Sequence, residues 1–544
     1  MTRHLASLRW SSGWALLALL TLVAGCAGPA ATSGTTPLSE AAVCADWYTR
    51  LDAVTRQAGV SDGGAHRLAG YPFLRSDRFL ASFGGDVADN PTAFEAWIGR
   101  LARLDSEARE VELSNLPLQF LPLLTTAGEA TSSEARSDFA ADKQRIQART
   151  QQCARQARLA LLQSAPMATA PGRRRLAAQA QVPDDYSVAR RALGLYALTR
   201  VPFFSGVRRW QQTTAEKFAA QAAAGADAAN VKRYTPAGEA VPAARIAEVY
   251  AKRDPDALGI PRLSPPDAAL LLRAYAPDVH IETRAPYDRF GALQWGAESA
   301  LPGSLPPGSA QPPSVLIEQP MMYQRLAYTR YQNQTLLQLV YSVWFPERPR
   351  AGGIDLLSGQ LDSVVLRLTL APDGTPWLYD SIHSCGCYHL FFPTSSAKAL
   401  PPPSTSDGSV PEPIEWAFVP AVLPALKAGQ RMALHLESRT HYVKGLRPVV
   451  APADGSPVPY ALLDDAALRT LPVSGALSGT TRSAFWPSGI VPGTERGERL
   501  LFWPMGIASP GAMRQWGRQP TAFVGRRHFD DARLMEQRFE MMAP

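Results

Sequence analysis

Residues 335–345 read TLLQLVYSVWF, and this run decides the fold class. Leu337, Leu339, Tyr341, Val343 and Phe345 alternate, so an extended chain presents all of them on one face. Val364, Leu366, Leu368 and Leu370 repeat the pattern, and Pro372-Asp373-Gly374 supplies a turn. Trp377–Phe392 then reads as one long return strand. Met321–Tyr331 and Val279–Thr283 extend the strand-like pattern upstream, and Ile414–Val419 and Arg431–Ser438 extend it downstream. A meander with period-two patterning predicts an antiparallel sheet.

Before this region the period changes. Cys44, Trp47, Leu51 and Val54 are spaced as one helix face, with Ser39 as its cap. Further helices are predicted over Thr92–Glu112, from the Thr131-x-x-Glu134 capping box through Phe139, Ile146, Cys153 and Leu161, and over Tyr186–Thr199 with an interruption at Pro202. Residues 166–185 read as a surface loop, 214–230 as an Ala-rich helix, Ser264-Pro265 as the start of a short helix, and Asp530–Glu540 as a terminal helix. The class is α+β, with an N-terminal helical region followed by an antiparallel sheet-rich region. The predicted division is a helical domain over 39–253, a sheet domain over 254–396, a Pro/Ser-rich linker over 397–412, and a mixed C-terminal region over 413–544 packing on the sheet.

The amino terminus reads as an address. Arg3, His4 and Arg9 precede the apolar run Trp14–Ala24, which is too short to span a bilayer and fits a signal sequence. It ends in Val23-Ala24-Gly25-Cys26, which resembles the lipobox of bacterial lipoproteins. That resemblance implies a signal peptide over 1–25, lipidation of Cys26, and a tether over 26–38. Ala27 replaces the Asp of the inner-membrane retention rule, which implies a lipid-anchored protein of the outer membrane facing the periplasm. Removing residues 1–25 leaves 53 Lys and Arg against 48 Asp and Glu. Export and this small surplus argue against a nucleic-acid partner. The expected partners are the membrane, through the N-terminal lipid, and other envelope proteins or anionic envelope polymers. Arg173-Arg174-Arg175, Arg190-Arg191 and Arg208-Arg209 form the densest basic region.

Five cysteines are too few for a disulfide scaffold. Cys44 and Cys153 lie on apolar helix faces in a disulfide-permissive compartment, and a bond between them is the favoured pairing. His383, Cys385, Cys387 and His389 fall within seven residues, on one face if the strand is regular. Thiolate and imidazole suit Cu(I) or Zn, although an extended strand holds positions 383 and 389 about 20 Å apart unless it bends at Gly386. A strained, exchange-active Cys385–Cys387 disulfide and a purely structural strand are the other readings. Tyr287-Asp288-Arg289, Trp344–Pro349 with Glu347, and Thr494-Glu495-Arg496-Gly497-Glu498-Arg499 are further polar-aromatic clusters, whereas Asp355, Asp362 and Asp380 are acids near strand ends without an assignable role.

No Gly-x-Ser-x-Gly elbow, His-Glu-x-x-His or phosphate-binding glycine loop is present. Blocks SIHSCGCYHLFFP (381–393) and 497–531 resemble those of uncharacterised lipoproteins from high-GC Gram-negative bacteria, a resemblance that carries no activity with it. The leading expectation is a non-catalytic binding or scaffolding protein of the envelope. The alternatives are a metal-binding or thiol-disulfide protein acting through the Cys-Gly-Cys strand, and a hydrolase of envelope polymers with an acidic cleft near Glu347 or Glu495.

Overall fold

The computed structural model describes residues 40–125, 139–224, 230–296, 311–403, 414–427, 429–450, 457–476 and 479–542. The signal, Cys26, the tether, the Thr131-x-x-Glu134 box and most of the 397–412 linker lie outside the described residues.

Helix α1 (Glu40–Gln57) buries Cys44, Trp47, Leu51 and Val54. Helix α2 (Pro91–Ser114) starts where the Asn90 side chain accepts from the Ala93 N–H and Pro91 occupies the first turn. With α3 (Phe139–Gln163) they enclose one apolar core in which Trp47 and Trp97 are fully buried. A Cys44–Cys153 disulfide ties α1 to α3 across a sequence separation of 109. On the chain-entropy model a loop of that length contributes about 4–5 kcal/mol. Beside this core Arg75 donates to Asp105 at 3.0 Å and Glu112 at 2.9 Å, and Arg109 donates to Asp105 and Asp52. These buried cations are fully paired, as burial of a charge requires.

The span 166–185 is not all loop: Thr169 caps a helix over Ala170–Gln179, and Pro171 sits in its first turn. The Thr-Ala-Pro run is a helix start rather than a breaker. Residues 186–230 hold a short helix, Val188–Leu193, and then one long helix, α4 (Tyr196–Ala224), which passes through Pro202. Pro202 removes one N–H bond near the exposed start of α4 without ending it.

Ten strands form the main sheet: β1 (Val231–Pro236), β2 (Asp278–Glu282), β3 (Met321–Tyr331), β4 (Gln334–Arg348), β5 (Gly359–Leu370), β6 (Pro376–His383), β7 (Leu390–Pro393), β8 (Gln430–Leu436), β9 (Val443–Val450) and β10 (Val458–Asp464). Their order is β7-β6-β5-β4-β3-β10-β1-β2-β8-β9. The run β3 to β7 is the expected antiparallel meander. The sheet as a whole is mixed, because β10 runs parallel to both β3 and β1, and β8 runs parallel to β2. Strands from the predicted helical, sheet and C-terminal regions therefore share one sheet. The chain is α+β, with helices first and a large sheet after.

Two strand expectations change. Trp377–Phe392 is a hairpin of β6 and β7, and Ile414–Val419 forms no strand, meeting β7 through one bond from the Phe391 N–H to the Phe418 carbonyl. The terminal helix shrinks to Leu534–Arg538. Leu339, Tyr341, Val343 and Phe345 lie on one sheet face beneath α4 and the helix α5 (Pro265–Ala274). On the opposite face Val340, Val365 and Ile382 pack against Phe529 of the C-terminal segment.

Candidate functional site

The chain reverses between His383 and Leu390. The Gly386 N–H donates to the His383 carbonyl at 2.7 Å, and the His383 N–H to the Cys387 carbonyl at 3.0 Å. Gly386 has φ +94°, and a Cβ there would lie 2.1 Å from the Pro520 carbonyl oxygen. Only glycine meets both demands. The reversal also settles the geometry of the four nominated side chains. His383 pairs across from Val364 on the face of α4, while Leu390 pairs with Ser381 on that same face, so His389 falls on the other.

The two histidines accordingly join different buried clusters. His383 Nδ1 lies 3.2 Å from Asp362 Oδ1, and His441 Nδ1 lies 2.8 Å from Asp362 Oδ2. Arg496 donates to the same carboxylate at 3.3 Å, and the His441 ring stacks on Phe345 at 3.9 Å. Burial alone would raise the Asp362 pKa, but His383, His441 and Arg496 hold it well below the usual carboxylate range. Burial lowers the pKa of His383. On the opposite face Asp380 receives two bonds from Arg367, at 2.9 and 2.6 Å, and His389 Nε2 lies 2.8 Å from it. Burial pushes His389 down to about 3, so it is neutral. His383, Cys385, Cys387 and His389 thus do not converge. Among the described residues no group of three or more His, Cys, Asp or Glu is arranged to hold a metal ion.

What the turn does build is a cavity of about 490 Å³, bounded by α4, the Cys385–His389 segment and C-terminal loops. Phe203, Val207 and Trp210 of α4 form one side, and Phe502, Ile507 and Phe523 contribute to the other. The volume is in the range of small-molecule sites. Most polar groups that reach it are already engaged. The Tyr442 hydroxyl donates to the Tyr388 hydroxyl at 2.7 Å, Glu415 accepts from the Phe523 and Val524 N–H groups, and Arg527 donates to the Trp416 and Thr521 carbonyls. Comparison with family models, with curated proteins and with solved structures finds no match for this chain. The site is therefore read from its own geometry.

Among the described residues His389 Nδ1 makes no hydrogen bond, and Glu498 is the unengaged acid in that wall. Its side chain makes no hydrogen bond among the described residues, and burial pushes its pKa up to about 7 despite the pull of Arg496 and Arg348. Cys385 and Cys387 both line the cavity as free thiols, with the Cys387 N–H donating to Cys385 Sγ at 3.3 Å. The side-chain contact between the two thiols and burial raise the Cys387 pKa well above that of an ordinary thiol. Glu347 is exposed at the end of β4, and neither it nor Glu495 lines the cavity.

Sequence reading placed the His383–His389 stretch, as part of a strand, and the Thr494–Arg499 cluster among the candidates, and both border this region. It missed the partnership of Asp362 with His441, which are 79 residues apart, and the role of α4 as a wall. The one available signal was the isolated acid opposite an alternating apolar strand, since a buried carboxylate demands donors. Of the basic runs, Arg173 and Arg191 are buried on backbone carbonyls, whereas Arg190, Arg208 and Arg209 are exposed.

Proposed function

We propose that this chain is a non-catalytic envelope protein, anchored through Cys26 to the periplasmic face of the outer membrane, that binds an apolar ligand in the cavity beside α4. The observation that carries the reading is the cavity itself: about 490 Å³, walled largely by aromatic and aliphatic side chains, with Glu415 of its two lining acids engaged and Glu498 not. A catalytic centre needs groups free to move protons or attack. Here His383 and His389 are locked on buried carboxylates and the Cys387 thiol is held in its unreactive protonated form, so Glu498, the acid left unbonded in the wall, has neither a mobile imidazole nor the Cys387 thiolate to work with. Apolar walls with a single unengaged carboxyl suit an aliphatic or acyl compound with a hydrogen-bonding head.

Gly206 provides the test. It lines the cavity, and a Cβ added there meets nothing within 4 Å. Gly206→Phe starts from that open Cβ position to place a ring at the cavity and, in mid-helix, replaces a residue that costs about 1 kcal/mol in helix propensity. Solvent extraction of the protein purified from membranes, followed by mass spectrometry, is expected to release a defined apolar compound. The variant is expected to fold and to release none. An empty wild-type protein that shows no thermal shift with acyl compounds would overturn the reading.

A further inference from the structure

Half of the exposed large hydrophobic side chains among the described residues lie in two short segments, 188–201 and 500–503. Leu193 is 78% exposed, Leu198 70% and Leu500 70%, and Leu195, Val201 and Leu501 stand out beside them. The segments form one patch. Gly194 sits between Leu193 and Leu195 and is so close to Pro504 that a Cβ would lie 2.5 Å from that ring, while the Phe203 and Phe502 rings meet edge-on at 5.3 Å. Trp503, partly exposed, lies at its margin. A continuous patch of exposed leucines is costly in water unless something covers it.

The charge around the patch says what covers it. Between Asp185 and Glu216 the chain carries five Arg and no acid, of which Arg190, Arg208 and Arg209 are exposed and Arg191 is buried on backbone carbonyls. Arg208 and Arg209 are exposed on α4 and make no ion pair among the described residues, and Arg499 is exposed beside Leu500. Exposed leucines with a tryptophan beside them and the exposed Arg208, Arg209 and Arg499 nearby are the composition of a surface that enters the headgroup region of an anionic bilayer. A protein interface would more often carry both signs of charge on its rim.

We infer that the face formed by segments 188–201 and 500–503 docks on an anionic phospholipid bilayer, with Leu193, Leu195, Leu198, Leu500 and Leu501 entering the leaflet. Pro202 and Phe203 directly follow the first segment and Phe502 lies in the second, and all three line the cavity, so docking brings one rim of the cavity to the lipid surface. The cavity reading supplies a reason for this docking, but the docking itself stands on the patch and its charge.

Flotation with vesicles tests it. A chain that starts at Ala27 retains every described residue and lacks Cys26, so any flotation comes from the folded surface. It is expected to float with phosphatidylcholine vesicles containing phosphatidylglycerol, and poorly with phosphatidylcholine alone. Leu198→Asp and Leu501→Asp are each expected to weaken binding by about tenfold or more, and Arg208→Gln and Arg209→Gln by about fivefold each with loss of salt sensitivity. These side chains are exposed, so unchanged circular dichroism and melting temperature verify folding. Absence of flotation, flotation insensitive to these substitutions, or a dimer in solution that Leu198→Asp converts to monomer would each overturn the inference. Gly206→Phe is expected to float like the wild type. Lost ligand with intact flotation therefore breaks the cavity reading alone, and lost flotation with bound ligand breaks the docking reading alone.

Discussion

Asp362 and Glu498 are buried carboxyl groups that both feel Arg496, and they end in opposite states. Asp362 sits under the sheet face with two imidazoles and a guanidinium on its oxygens, and its charge is held. Glu498 faces the cavity with no such donors, and it holds a proton up to about pH 7. Burial disfavours charge equally in principle, so what separates the two regions is the number of donors the fold delivers to each oxygen. The first region is finished as structure, whereas the second retains hydrogen-bonding capacity for something else.

The largest effect is expected from Asp362→Asn. It removes the carboxylate charge that Arg496 and the two histidines share and turns one accepting oxygen into a donor facing them, a loss of about 3–5 kcal/mol for breaking a buried ionic cluster. Urea unfolding measures it, and a cost below about 1 kcal/mol would break the comparison by showing the cluster to be solvated.

Glu498 should behave in the other direction. Its folded pKa of about 7 stands above the ordinary 4.5, so between those values the folded state holds a proton that the unfolded state has released. Stability therefore falls as pH rises from about 4.5 to 7 and levels off above. The full window is worth about 3 kcal/mol, at about 1.4 kcal/mol per pH unit. Glu498→Gln is expected to flatten this part of the pH profile and to unfold at a higher temperature than wild type at pH 8. An unchanged profile would place the carboxyl in solvent.

The smallest effect sharpens the comparison. Cys385→Ala and Cys387→Ala remove thiols that line the same cavity, and each is expected to cost about 1 kcal/mol or less and to leave bound metal content and ligand release unchanged. Elemental analysis and thiol titration of both variants check this. Stoichiometric metal lost on either substitution would move the cysteines from wall to function.

Much of the frame was legible from pattern alone. The alternation in Leu337–Phe345 identifies β4 because a strand exposes every second residue to one face. The spacing of Cys44, Trp47 and Leu51 marks the buried stripe of α1, and the same stripe carries the half-cystine that meets Cys153. The Cys-Gly-Cys turn was visible as dense chemistry. What it does was not visible, because a strand and a hairpin share the same apolar pattern, and one reversal moves His389 to the opposite face.

The sequence by itself determined the helical and extended segments and their buried faces, because periodicity and capping act over a few residues. Only the tertiary structure decided the mixed order of the sheet, the meeting of His441 with Asp362, the cavity under α4 and the patch that adjoins it. Those depend on contacts between residues tens to hundreds apart in the chain. Their geometry is set by packing and by the donors that buried charges require, and no local pattern records either.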